Sequence, residues 1–295
     1  MKGEEIMSGN EKPKWLNINQ YPFEDHFFKT EAGKIHYLDE GEGDAVVFIH
    51  GNPSWSFEFR NLIKELRNTN RCIAPDHLGF GLSDKPLNWS YRPKDHAKNL
   101  SELLNSLNLK NITLVVGDWG GPIGLSYAIN NPEKIKNLVI TNTWFWSVNN
   151  ELYYQFFSKF AGGFVGRYLI KKSNFFAKYI LNFLYGDKKR LTAEIHNHYL
   201  MPLINPKERK GNWTFPKEII DSSKWLESIW NKCSILKDKN VIIAWGMKDI
   251  AFREKELKRC IKAFPGAGVI RFQDAGHFLA EEKAIELIYE IKKII

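Results

Sequence analysis

Six short, β-branched runs recur along the chain, at 45–49 (AVVFI), 71–74 (RCIA), 112–116 (ITLVV), 137–141 (NLVIT), 241–245 (VIIAW) and 268–272 (GVIRF). Segments of helical period lie between them. In the segment from 95 to 109, Ala97, Leu100, Leu104 and Leu107 fall on one helical face, and Ala284, Leu287, Ile288 and Ile291 repeat the pattern over 280–294. Runs this short and this apolar suit strands of a parallel sheet covered on both faces. Right-handed β–α crossovers then build a doubly wound, mostly parallel α/β layer.

The alternation stops between 144 and 213. Its first 42 residues, 144–185, hold 15 of the chain's 41 aromatics, with Tyr153, Phe156, Phe157, Phe160 and Phe164 at helical spacing. The expectation is a helical cap at 144–213, inserted into a core made of 1–143 and 214–295, with 1–14 as a flexible tail. Most of the aromatics serve to pack the insertion; a few are left to line a pocket between the two units.

Composition narrows the class. With 43% hydrophobic and 14% aromatic residues among 295, the chain is neither disordered nor fibrous. The polar N-terminus has no apolar signal region, and no run of 18 apolar residues is present, so a cytoplasmic protein without integral membrane association is expected. Cys72, Cys233 and Cys260 are odd in number and match no zinc spacing, which reads as buried free thiols in a reducing compartment. The net charge of +8 raises nucleic acid as a partner, but the basic clusters are short and scattered among 34 acidic residues. No nucleic-acid function is expected, only a solvated basic surface.

Three loops follow expected strands, where reactive groups of an open α/β sheet gather. In VVGDWGG (115–121) a strand runs through a turn into a helix expected at 122–130, the setting of a nucleophile elbow. Asp118 stands at its apex. An aspartate is already ionised and can attack an electrophilic carbon to form an ester, although it could also merely cap the helix. Val116 departs from the small residue usual at that position. In FIHGNPSW (48–55), the backbone N–H groups of Asn52 and Trp119 would form an oxyanion hole, with the Asn52 amide and the Trp119 indole as further donors. In DAGHFLAEE (274–282), His277 is placed to act as a general base. His26, His36, His96, His196 and His198 carry no motif and are expected at the surface, while His50 and His77 belong to structural turns.

A third group must orient the imidazole. The loop after 137–141 (TNTWFW) has no carboxylate, whereas the loop after 241–245 (WGMKDIAF) offers Asp249. Elimination selects Asp249. Asp76 and Asp84, in PDHLGFGLSDKP, compete but look structural.

HGNPSWSFEFR, PDHLGFGLSDKP, VVGDWGG, WGMKD and DAGHF occur together in an order that resembles the haloalkane dehalogenases of the α/β-hydrolase superfamily, over about 20–295. The resemblance implies an α/β-hydrolase fold with no cofactor and no metal. It implies Asp118 as nucleophile, His277 as base, Asp249 as its partner, and Asn52 and Trp119 as halide donors. Small halogenated substrates, water and halide are then the partners, with oligomeric state open. An epoxide hydrolase is the main rival; it would need two cap tyrosines from among Tyr153, Tyr154, Tyr168, Tyr179 and Tyr185. A cofactor-free oxygenase of the coelenterazine-luciferase kind and an idle binding protein are the others.

Overall fold

All six expected strands form, and two more precede them. The computed structural model describes residues 12–295; the tail expected at 1–14 falls mostly outside the described residues. The strands are β1 (His26–Lys29), β2 (Lys34–Glu40), β3 (Ala45–Ile49), β4 (Arg71–Pro75), β5 (Ile112–Asp118), β6 (Ile135–Thr143), β7 (Asn240–Gly246) and β8 (Gly268–Phe272). They make one sheet in the order β1-β2-β4-β3-β5-β6-β7-β8. Pairing is parallel from β4 to β8, and only β2 runs antiparallel to its neighbours β1 and β4. This is an α/β-hydrolase architecture.

β3 shows why these runs become strands. All five of its residues are buried. Val46 and Phe48 join the apolar layer on one side of the sheet, and Val47 and Ile49 the layer on the other. Helix α1 (Arg60–Leu66) lies with the first layer, and α2 (Pro93–Ser106) and α3 (Gly120–Asn130) with the second. Helix α2 opens on Pro93, whose missing N–H costs nothing in the first turn, and it buries Ala97, Leu100, Leu103 and Leu104.

Between β6 and β7 the chain is helical: α4 (Leu152–Gly162), α5 (Phe164–Ser173), a π-helical turn at Phe176–Ile180 continuing into α6 (Leu181–Leu184), α7 (Ala193–Leu200), α8 (Lys210–Asp221) and α9 (Ser223–Lys232). Helix α8 packs along α4 and α5, and α9 along α3. After β7 come α10 (Glu254–Ala263), α11 (Leu279–Glu282) and α12 (Ala284–Lys292). The single helix expected over 280–294 is therefore broken at Lys283. The break accompanies Glu282, which is buried and accepts from the backbone N–H groups of Gly276 and Asp187 at 2.9 and 2.8 Å. These bonds tie down the loop that carries His277.

Three histidines expected at the surface are buried. His36 lies between Asp76 and Asp25 at 2.9 and 3.0 Å, and burial is outweighed by these carboxylates, which lift its pKa to about 9. His96 is enclosed by Trp89, Phe215 and His77. His198 stacks on Phe57 and accepts from Asn17 N. His36 and His198 are held by pairing and His96 by ring packing alone, its Nε2 buried without a partner; no local motif announces any of the three. All three cysteines are buried and free.

Candidate active site

The turn after β5 puts Asp118 in a left-handed backbone conformation, with φ 46°. For a residue other than glycine this costs free energy and is held only by its surroundings. The helix after it comes so close to β3 that a Cβ on Gly120 would fall 2.0 Å from the Ile49 carbonyl oxygen. Helix α3 starts two residues past Asp118, with Trp119 as its N-cap. The Asp118 side chain faces the end of β3, where Asn52 N donates to Asp118 Oδ1 at 2.7 Å, and the neighbouring backbone N–H of Trp119 also favours the ionised carboxylate. The two backbone donors expected to form an oxyanion hole thus converge on Asp118 itself. Burial pushes its pKa up, against the pull of His277 and these two N–H groups.

His277 Nε2 lies 3.8 Å from Asp118 Oδ2, and His277 Nδ1 lies 2.8 Å from Asp249 Oδ2. Asp249 is buried. Its Oδ1 accepts from Ala251 N at 2.7 Å, and its Oδ2 also accepts from Asn142 Nδ2 at 2.9 Å. Asn142 in turn accepts from Gly246 N, so it bridges the ends of β6 and β7 and fixes the carboxylate. Burial lowers the basicity of His277, but Asp249 first and Asp118 next outweigh it, and the pKa rises to about 9. The ring packs against Phe252, and its backbone N–H donates to Leu184 O of the inserted helices at 2.8 Å.

Above these groups is a cavity of ≈ 140 Å³. Its floor is Asn52, Asp118, Trp119 and His277; its roof is apolar, from Phe157, Phe176, Ile180 and Leu184 of the insertion. Asp249 stands behind His277, outside the cavity. A second, inner space of ≈ 10 Å³, enough for the centre of one water, is bordered by Asp118, His277, Thr141 and Glu58.

Asp76 and Asp84 are committed elsewhere. Asp76 is fully buried, accepts from Ser56 N and Leu82 N, and pairs with His36. Asp84 accepts from Lys34 N.

Three residues at the site escape sequence reasoning. Glu58, on the turn Ser56–Phe59, accepts a hydrogen bond from the Ser54 hydroxyl, and burial pushes its pKa up to about 7. Its one signal is a charge inside an otherwise apolar segment, six residues after Asn52. Asn142 carries no charge and is invisible to a search for carboxylates. Trp144 lines the cavity edge-on to Trp119, with a buried indole N–H that has no partner.

A model of the alpha/beta hydrolase fold family matches residues 44–284. The chain belongs to that family. Within the α/β-hydrolases it is haloalkane dehalogenase-like. It is 35% identical over 264 residues to haloalkane dehalogenase 2 of Mycobacterium bovis, covering 89% of this chain and 91% of that one. It is equally similar, 36% over 293 residues, to a cis-3-alkyl-4-alkyloxetan-2-one decarboxylase of Shewanella oneidensis, covering 92% of this chain and 88% of the relative. The solved structure of a haloalkane dehalogenase from Agrobacterium tumefaciens superposes with a TM-score of 0.81 over 92% of this chain and 95% of that one; at 21% identity it shows the shared fold. Among the described residues of this α/β-hydrolase, no helix is long and apolar enough to cross a membrane.

Proposed function

We propose that the protein hydrolyses haloalkanes to an alcohol and halide through an alkyl ester on Asp118. The observation that carries this reading is a carboxylate on an elbow turn, aimed at an apolar cavity, 3.8 Å from an imidazole backed by a buried carboxylate.

In the first step an Asp118 oxygen attacks the halogen-bearing carbon from the side opposite the halogen. A C–O bond forms, and halide departs with the C–X electron pair toward Asn52 Nδ2 and Trp119 Nε1. Attack also neutralises Asp118. One of the two carboxylates that hold His277 protonated is thereby lost, and its pKa falls toward the range of a base. In the second step neutral His277 takes a proton from a water, and the water oxygen adds to the ester carbonyl carbon. The N–H groups of Asn52 and Trp119 stabilise the resulting oxyanion. Collapse expels the alkoxide, which leaves as the alcohol with the proton held by His277. The Asp118 carboxyl then gives its proton to His277, restoring the carboxylate and the charged imidazole. In the resting protein His277 is charged, so the first step itself prepares the base for the second. No cofactor or metal enters either step, and the three free thiols fit a cytoplasmic setting.

The epoxide hydrolase alternative is less well supported. Of the five tyrosines available to it, Tyr153 and Tyr154 line the cavity, and the Tyr154 hydroxyl is engaged by Glu256 at 2.9 Å. A second reading is favoured by the 36% identity to an oxetanone decarboxylase. Asp118 could open a strained β-lactone at its alkyl carbon, with carboxylate leaving in place of halide; loss of CO₂ would then form the alkene as the C–O bond to Asp118 breaks and its carboxylate is expelled. Offering 1-bromobutane and a cis-3,4-dialkyl-oxetan-2-one separately tests the choice. Bromide and alcohol support dehalogenation; alkene from the lactone alone sinks it.

Trp119→Phe should keep the fold and lower debromination by about 10²–10³, the scale for one donor aimed at developing charge. Unchanged turnover would remove Trp119 from the halide site. Bromide binding, followed by quenching of tryptophan fluorescence, should also depend on pH. His277 shares the cavity floor and is cationic below about 9, so affinity should fall as pH rises through that value. Affinity independent of pH, or rising with it, would mean that the bound anion does not sense His277.

A further inference from the structure

The outer face of α4, α5 and α6 is unlike the rest of the surface. Between residues 152 and 190 there are eight Lys and Arg against one acidic residue, Asp187, so this stretch holds nearly the whole net charge of +8. Of the sixteen large apolar side chains exposed among the described residues, eight besides Tyr153, which also borders the cavity, lie in this stretch, including Leu152 at 81%, Phe156 at 74% and Phe164 at 87% exposure. Charge and exposed rings are interleaved along these helices. Lys159 stands between Phe156 and Phe160, which stack one helical turn apart. The ammonium of Lys178 sits 5.3 Å from the Tyr179 ring centre, and that of Lys188 5.3 Å from Phe183. Packing requirements do not explain these rings: the buried sides of the same helices, at Tyr154, Ala161, Gly166, Ile170 and Ala177, already supply the internal contacts.

We propose that this face docks on the surface of an anionic lipid bilayer. A contiguous apolar patch on a monomer marks an interaction site. A second copy is a poor occupant, because self-association would bring two strongly cationic faces together. A bilayer accommodates both halves of the pattern. Phenylalanine and leucine side chains enter the boundary between headgroups and acyl chains, while lysine and arginine pair with lipid phosphates.

The arrangement also bears on substrate. The inner sides of these helices form the roof of the cavity, through Phe157, Phe176, Ile180 and Leu184. A docked cap would hold that cavity about one helix diameter, ~10 Å, from the acyl region. Apolar substrates concentrate in that region. This last consequence rests on the cavity being the substrate site; the docking does not.

The test is co-sedimentation of the full chain with phosphatidylcholine vesicles, with and without phosphatidylglycerol, at low and high salt. The protein should pellet with the anionic vesicles, less with phosphatidylcholine alone, and less in high salt. Phe156→Ser/Phe164→Ser and Lys171→Glu/Lys172→Glu should each reduce the bound protein at least about tenfold. Neither pair lines the cavity, so 1-bromobutane turnover in free solution should match wild type, which shows that the variants fold. Wild-type protein remaining in the supernatant overturns the proposal, as does equal pelleting of the variants. A dimer in solution that Phe156→Ser/Phe164→Ser converts to monomer also overturns it, by assigning the face to a second copy.

Discussion

Asp249→Asn should lower turnover of 1-bromobutane by about 10⁴-fold, with a loss of thermal stability of about 1–3 kcal/mol from the buried donor left unpaired. The geometry gives the reason. Asp249 receives three hydrogen bonds, from Ala251 N on one oxygen and from Asn142 Nδ2 and His277 Nδ1 on the other. An amide at this position can satisfy Ala251 N with its oxygen, but its NH₂ group then points at two donors. His277 is driven to the tautomer with its hydrogen on Nε2, the nitrogen that must accept a proton from water. The support for the imidazolium is lost as well, since Asp249 is the largest influence raising the His277 pKa. Turnover within a few-fold of wild type would mean that another carboxylate supports His277. Glu58, which borders the same inner space, would then be the first to replace. Asp76 would not, because its oxygens are already taken by His36, Ser56 and Leu82.

The parallel core is legible in the sequence because its strands are buried on both faces and so appear as unbroken apolar runs. β1 and β2 lack that signature. They form the antiparallel margin of the sheet, and KIHYLDE mixes buried Ile35, Tyr37 and Leu38 with Asp39 and Glu40. A search for apolar runs passes over them. The loops bearing Asp118, His277 and Asn52 are legible for a topological reason: each follows a strand, and parallel strands end on one side. Glu58, Asn142 and Trp144 are not, since their roles come from neighbours that only the folded chain supplies. The same holds for His36, His96 and His198. A histidine is buried when the fold brings it a carboxylate or a ring, and Asp76 lies 40 positions from His36.

The central claim, a two-step reaction through an ester on Asp118, predicts an unusual result for His277→Phe. In a serine hydrolase the histidine activates the nucleophile, so losing it blocks the first step. On the proposed mechanism the nucleophile is a carboxylate, and only the attack of water needs a base. Burial raises the Asp118 pKa and the His277 cation opposes that rise, so the variant is best assayed at mildly alkaline pH, where Asp118 stays ionised. Mixed with 1-bromobutane, it should release about one bromide per protein in a burst and then stop. Intact mass should increase by one butyl group in place of a proton, and peptide mapping should put that group on Asp118. If the variant is left unmodified by bromoalkane that wild type turns over, or carries the alkyl group elsewhere, the covalent mechanism is wrong for this protein.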